Sequence, residues 1–322
     1  MSSINTNASA MNALATLRNV NTNLNETQNR ISTGLKVSSG KDNAAYFAIS
    51  ETMKGDSGMT KAVNESLTLT KNSVATARLG AEQFSDLATE FRDKVAFAME
   101  NKGGLDEVES DLTRLVADME AIMSQSTFNG DDLVNANKLG AAGATAVAGT
   151  MDAFGVVTAS ATPSAAQADR SIITGISRDA AGTLQTTNIT VSPVDLNGQL
   201  ETFSLIAGSF ATRAGDTADT DSNGTTNGDE YLANVLALAD VATQNTVDAA
   251  TSLGQSEKSI ERQQEFLTKL SDNLDAGVGA MVDANMEEEA ARLQALQVQQ
   301  QLASQSLSIA NQAPQNILSL FR

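Results

Sequence analysis

The chain has 322 residues, 41% of them hydrophobic but only 4% aromatic, and a formal net charge of −18. It contains no Cys, no His and no Trp. These absences exclude disulfides, Ser-His-Asp and Cys-His nucleophile systems and ordinary zinc sites, and the acidic balance excludes the basic footprint that nucleic acid requires.

The first residues, MSSINTNASAMNALATL, lack a basic start and an apolar core, so they do not read as a secretory signal peptide. No apolar run reaches the length of a membrane span, so no membrane insertion is expected. On these signals alone the chain reads as cytosolic. From about Ala8 to Leu35, Ala10, Leu14, Leu17, Leu24, Ile31 and Leu35 fall on one coiled-coil seam, interrupted by Asn21 and Gln28. Such a helix spans roughly 40 Å at 1.5 Å per residue. It is expected to end near Ser38-Ser39-Gly40, because Gly just past a helix is a usual stop. Asp42 or Asn43 can cap the next helix, which begins at Ala44.

Gly55-Asp56-Ser57-Gly58 reads as a break. A long helical pattern follows through Leu67, Val74, Leu79, Phe84, Leu87, Phe91, Val95 and Ala98. Lys102-Gly103-Gly104 is a turn, and Leu105 to Ser124 is helical again, with Val108, Leu112, Leu115 and Met119 on one face. Phe128-Asn129-Gly130-Asp131 contains Asn-Gly, a hairpin-turn signal.

From about Lys138 the chain turns small and polar. Strand-like pieces appear at Ser171–Ile176, Thr187–Val194 and Thr202–Ala207. Ten acidic and three basic residues between Ala141 and Val235 give this block a charge of −7. It reads as a separate, solvent-facing, partly β insertion. The helical pattern resumes at Tyr231 and, after Gly254, runs on to a soft joint at Gly277 and Gly279. In the last stretch Leu293, Leu296, Gln300, Ala303, Leu307 and Ala310 recur at spacings of three and four. Glu287, Glu288 and Glu289 open that helix, where carboxylates suit the helix dipole.

Each end therefore carries an apolar stripe in want of a partner, so the ends are expected to pair. Polar and alanine positions make the seam thin, which predicts that it orders fully only when several copies pack together. The expected fold is mostly α: long coiled-coil terminal helices and a helical bundle, with a small β-containing central insertion. Residues 1–40 and 286–322 would form the coiled-coil part and 41–137 and 236–285 the outer helical part. Residues 138–235 would form the insertion.

Asp219, Asp221, Asn223, Thr225, Asn227 and Glu230 fall at the ligand positions of the calcium-loop pattern, with Gly224 at its sharp turn. The competing reading is a solvated loop in an acidic block. Thr226 stands where such loops carry an aliphatic residue, and no clear helix enters. No cofactor is required by anything in the sequence; calcium is the single candidate.

The segment Arg30-Ile31-Ser32-Thr33-Gly34-Leu35-Lys36-Val37-Ser38-Ser39-Gly40-Lys41-Asp42-Asn43-Ala44-Ala45 resembles the N-terminal signature of bacterial flagellins. Asn311 to Arg322, with Ile317 and Leu318 near its end, is similar to the C-terminal signature of the same family. Ile4-Asn5-Thr6-Asn7 and Thr127-Phe128-Asn129-Gly130 match further landmarks. The resemblance covers about residues 1–137 and 236–322.

It implies a structural protein that polymerises with itself into the helical filament of the flagellum for swimming, with terminal helices inside and the middle facing solvent. It also implies an extracellular destination, reached through the flagellum's own secretion channel without a cleaved signal peptide. The implied partners are the export apparatus, an export chaperone, the filament cap and hook-associated junction proteins. Gly34 and Gly40 would flank a joint between inner and outer helices, and Arg30 and Asp42 would be intersubunit ion-pair candidates. Phe91-Arg92-Asp93-Lys94-Val95-Ala96 departs from the Arg-Val-Arg-Glu-Leu-Ala segment that an animal innate immune receptor reads, so poor recognition is expected. A hook–filament junction protein and a fibre displaying a calcium-dependent binding module stand as alternatives, and no enzymatic activity is expected.

Overall fold

The structure is a computed structural model that describes residues 7–135, 150–159, 169–179, 183–217 and 227–320. In chain order it places helices α1 (Ala8–Thr33), α2 (Ala44–Glu100) and α3 (Leu105–Gln125), then the short hairpin β1 (Thr127–Phe128) and β2 (Asp131–Asp132). Two further antiparallel pairs follow, β3 (Thr150–Met151) with β4 (Val157–Ala159) and β5 (Arg170–Arg178) with β6 (Leu184–Val191). Helices α4 (Leu196–Ala207), α5 (Phe210–Ala214), α6 (Asn227–Val282) and α7 (Met286–Leu320) complete it. The chain is mostly helical, with small two-stranded sheets in its middle.

The chain divides into two compact units, one built from residues up to 59 and from 270 onward, the other from residues 60–269. The first unit thus takes in the start of α2 and the end of α6, beyond the segment bounds 1–40 and 286–322.

In the second unit, α2 buries Leu67, Val74, Ala77, Ala81, Phe84, Ala88, Phe91, Val95 and Ala98. After Leu67 the steps alternate three and four, so one stripe faces inward along several turns. Leu79, expected inside, is 57% exposed; the small Ala77 and Ala81 hold the inward positions instead. On α3, Leu105, Val108, Leu112, Leu115 and Met119 repeat the same steps. Gly80 lets the end of α3 close in, because a Cβ there would lie 1.8 Å from Ser126 Oγ. The Phe203 ring packs 4.8 Å from Phe91 and 6.3 Å from Phe84. Each such side chain taken fully out of water contributes about 1.5–3 kcal/mol.

The middle of the chain is not a separate body in its described parts. Met151, Ile172, Val191, Phe203, Ile206 and Phe210 belong to the same core as α2, α3 and α6. Their apolar side chains recur at inward positions, so the segments fold onto the bundle. Thr202–Ala207, expected as a strand, lies in α4. Leu196, Leu200, Phe203 and Ile206 share one helical face, and Asp195 caps the helix by accepting from Gly198 N at 2.9 Å. A short apolar run cannot declare its period alone; the cap and the upstream leucines decide it.

The expected breaks in the long helices are also absent. α2 runs unbroken through Gly55-Asp56-Ser57-Gly58, and α6 through Gly254, Gly277 and Gly279. Packing overrides the cost of about 1 kcal/mol per helical glycine. Ser57, buried, donates to Asp275 at 2.7 Å and shares a hydrogen bond with Ser271 at 3.1 Å. Gly277 accommodates Met53, whose Cε would stand 2.7 Å from an added Cβ.

Candidate functional site: the paired termini

Asn7 ties the two ends together at their far limit. Its side-chain oxygen caps α1 by accepting from Ala10 N at 3.0 Å, while its Nδ2 donates to Ala310 O on α7 at 2.8 Å. From there α1 and α7 run antiparallel, with Asn21 facing Gln300 and Arg30 facing Glu289.

On α7 the residues turned away from solvent are Glu289, Leu293, Leu296, Gln300, Ala303, Leu307 and Ala310. They keep the three-four spacing expected from sequence and extend it one step, to Glu289. On α1 they are Ala10, Ala13, Leu17, Val20, Asn21, Leu24, Thr27, Arg30 and Ile31. Leu17, Leu24 and Ile31 sit where the sequence places them. The intervening positions shift by one residue: Val20 and Thr27 are buried, whereas Gln28 and Leu14 are exposed. Ala13 and Thr27 are smaller than Leu14 and Gln28, and Val20 is apolar where Asn21 is not, so the helices approach on that side. Asn21 remains half-buried and accepts from Gln300 Nε2 at 2.7 Å. Ile317 and Leu318 fall in the last turns of α7, and their side chains lie outside the described part of the structure.

The loop after α1 is closed by backbone pairing. α1 ends at Gly34, not near Gly40, because Gly34 adopts φ 72° and donates its N–H to Arg30 O. That left-handed conformation suits glycine best among ordinary residues. Leu35 then bridges Asp283, Lys36 N donates to Val282 O at 2.7 Å, and Ala284 N donates to Gly34 O at 2.9 Å. Val37 packs with Val278 and Val282 in a small separate core. Gly40 has no such backbone demand; a Cβ there would meet only Phe47, at an ordinary 3.7 Å.

Arg30 and Asp42, expected as partners across subunits, are each engaged within the chain. Arg30 Nη1 lies 3.3 Å from Glu289 Oε1. Asp42 Oδ2 accepts from the backbone N–H and hydroxyl of both Ser38 and Ser39, at 3.0–3.1 Å. Those hydrogen bonds, the Ser38 N–H first, hold the Asp42 carboxyl below its ordinary range. Asn43, the other candidate, is the helix cap: it accepts from Ala45 and Tyr46 N at 3.1 Å.

One feature of this unit was not read from sequence. Val298, Leu302 and Ile309 form a second apolar stripe on α7, at spacings of four and seven, and all three are exposed. Met11 and Leu14 on α1 are exposed as well. The signal was present as apolar residues off the main seam. A helix with two apolar stripes, one covered and one bare, has capacity for another partner.

Among the described residues no group of His, Cys, Asp or Glu is placed to hold a metal ion, and no helix is long and apolar enough to cross a membrane. Of the calcium candidates, Asp219, Asp221, Asn223 and Thr225 lie outside the described residues, while Asn227 and Glu230 lie in the first turn of α6. The Phe91–Ala96 stretch lies on α2, with Phe91 and Val95 buried. Arg92 pairs with Asp240 at 3.2 Å and Lys94 with Asp111 at 2.7 Å.

Residues 4–138 match the family model for the bacterial flagellin N-terminal helical region, and residues 236–321 match that for the bacterial flagellin C-terminal helical region. The chain is 35% identical over 326 residues to a flagellin of Brucella melitensis, and 34% identical over 325 residues to flagellin C of Rhizobium meliloti. Both alignments cover all of each chain. Among solved structures it is similar to Bacillus cereus flagellin, at 15% identity and a TM-score of 0.38, over 66% of this chain and 94% of that one.

Proposed function

Because the chain belongs to the bacterial flagellin family, we propose that its paired termini are the element through which copies assemble. The protein is a structural subunit that self-polymerises into the helical filament of the extracellular bacterial flagellum, which drives swimming. The observation that supports the termini in this role is the bare stripe of Val298, Leu302 and Ile309 beside a seam already filled by α1. A second copy covering that stripe would complete the core that the thin α1–α7 seam lacks.

The test is electron microscopy of the purified chain after addition of salt or short filament seeds. Long uniform tubes are expected. Leu302→Glu with Ile309→Glu should abolish them while the 60–269 unit stays folded. Short rings from the unaltered chain would favour a hook–filament junction role. Tubes that persist in the double variant would remove the stripe from the assembly surface.

The finer expectations go with this reading. The subunit leaves the cell through the flagellar secretion channel without a cleaved signal peptide. On the way it meets the export apparatus and its chaperone, and at the filament ends the cap and junction proteins. No enzymatic reaction is assigned. Recognition by the innate immune receptor is expected to be poor: Phe91 and Val95 are buried, and Arg92 and Lys94 are held in ion pairs. A receptor reporter responding to this chain as strongly as to relatives with the usual segment would overturn that. Calcium binding at 219–230 is tested by calorimetry at millimolar calcium, with Glu230→Gln expected to remove the heat.

A further inference from the structure

Among the described residues β6 is an edge strand, and it carries no charge. Its sequence, Leu-Gln-Thr-Thr-Asn-Ile-Thr-Val, has neither a charged residue nor a proline. β6 pairs with β5 on one side, and the described residues place no strand on the other. Leu184 to Asn188 are exposed in sequence, as is Thr190. Inward-facing Ile172 and Val191 anchor the hairpin to the core, so the edge is held in place. Proteins normally blunt such edges with lysine, proline or a covering element. Among the described residues this edge has none of these, in a chain whose net charge is −18.

We propose that the β6 edge pairs antiparallel with β6 of a second copy of this chain, and that it does so between filaments. Two facts favour a second copy as occupant. An uncharged β-branched strand pairs well with itself, through backbone hydrogen bonds and Thr–Thr neighbours. It is also a place where two strongly acidic copies meet without opposing charges. Geometry then fixes which copies meet. A same-to-same contact needs a two-fold axis between its partners, whereas neighbours in a helical filament are related head-to-tail. The β6 pair therefore joins subunits of adjacent filaments and bundles them when salt screens the acidic surfaces. The assignment to filaments rests on the filament-subunit reading; the strand pairing does not.

The chain has no cysteine, so a single one reports its own contacts. Filaments of Asn188→Cys, oxidised at raised salt, should give disulfide-linked dimers, and Thr113→Cys on exposed α3 should not. Thr186→Lys with Asn188→Lys should leave single filaments intact and lose the bundles. Bundles that persist in the double lysine variant, or no Asn188→Cys dimer within existing bundles, would overturn the proposal. So would a folded double variant that no longer polymerises, since β6 would then serve within the filament lattice. If no filament formed from any variant, the filament reading would fall, while Asn188→Cys dimers of free subunits would still uphold the strand pair.

Discussion

Arg30 on α1 and Glu289 in the first turn of α7 are 259 residues apart in sequence and 3.3 Å apart in the structure. The Glu289 side chain is only 7% exposed, Arg292 reaches the same oxygen at 3.1 Å, and Oε2 has no partner among the described residues. A carboxylate so placed depends on its arginines. Arg30→Ala should lower the stability of the terminal helix pair by about 1–3 kcal/mol. Glu289→Leu, which continues the apolar seam, should be neutral or stabilising. Thermal melts followed by helical circular dichroism would check both, and a stabilising Arg30→Ala would contradict the role given to the pair.

The Asn21–Gln300 hydrogen bond occupies seam positions that leucine would fill in a stronger coiled coil. Polar pairs of this kind lower stability and fix register. Asn21→Leu with Gln300→Leu should raise the melting temperature of the terminal pair and broaden the polymers that form. Tube diameters measured by electron microscopy would show the broadening; uniform tubes of unchanged width would refute it.

Gly34 ends α1 at φ 72° in open space, with nothing within 4 Å of an added Cβ. Gly34→Ala therefore tests backbone strain without a steric clash. The expected loss is about 1–2 kcal/mol, read as a lower urea midpoint. The Gly40→Ala control should move it far less, since Gly40 does not adopt a positive φ.

Acid should loosen the protein through named carboxylates. Asp42 is lowered by the Ser38 and Ser39 hydrogen bonds, Asp111 by that from Lys94, and Glu261 by that from Lys71. A lowered carboxylate contributes stability that is present above its unfolded pKa, near 4, and lost as pH falls through its folded value. At the other end, burial pushes the Tyr231 hydroxyl up to about 12. Its contribution is present below the ordinary value near 10 and disappears as pH rises through about 12. With no His in the chain, urea midpoints should stay nearly flat between about pH 5 and 9 and fall on both sides. A midpoint that changed steeply near pH 6.5 would count against this.

The α7 seam was legible because its leucines recur without competition. The α1 seam was half legible. Leu17, Leu24 and Ile31 point inward as their spacing predicts, but Val20 and Thr27 take the places that the spacing assigns to Asn21 and Gln28, and Leu14 faces out. Size in sequence says little about which flank of a stripe a partner helix will choose; the partner's own side chains decide. The same holds at Ala77 and Ala81, where small residues carry the core and Leu79 faces out. Glycine pairs signal breaks in sequence and make none in the structure for a related reason: a neighbouring helix can hold α2 and α6 straight through them. The ion pair of Arg30 could be named only by half, since Glu289 already had a sufficient local reason to stand at a helix start.

The hydrogen bond from Asn7 to Ala310 spans 303 residues of chain. Within these residues α1 is made long before its partner α7. Until α7 exists, α1 has nothing to lie against, whereas residues 60–269 can already gather their own core. Pairing of the ends therefore waits on the whole chain between them: a chain cut short of α7 cannot close its seam.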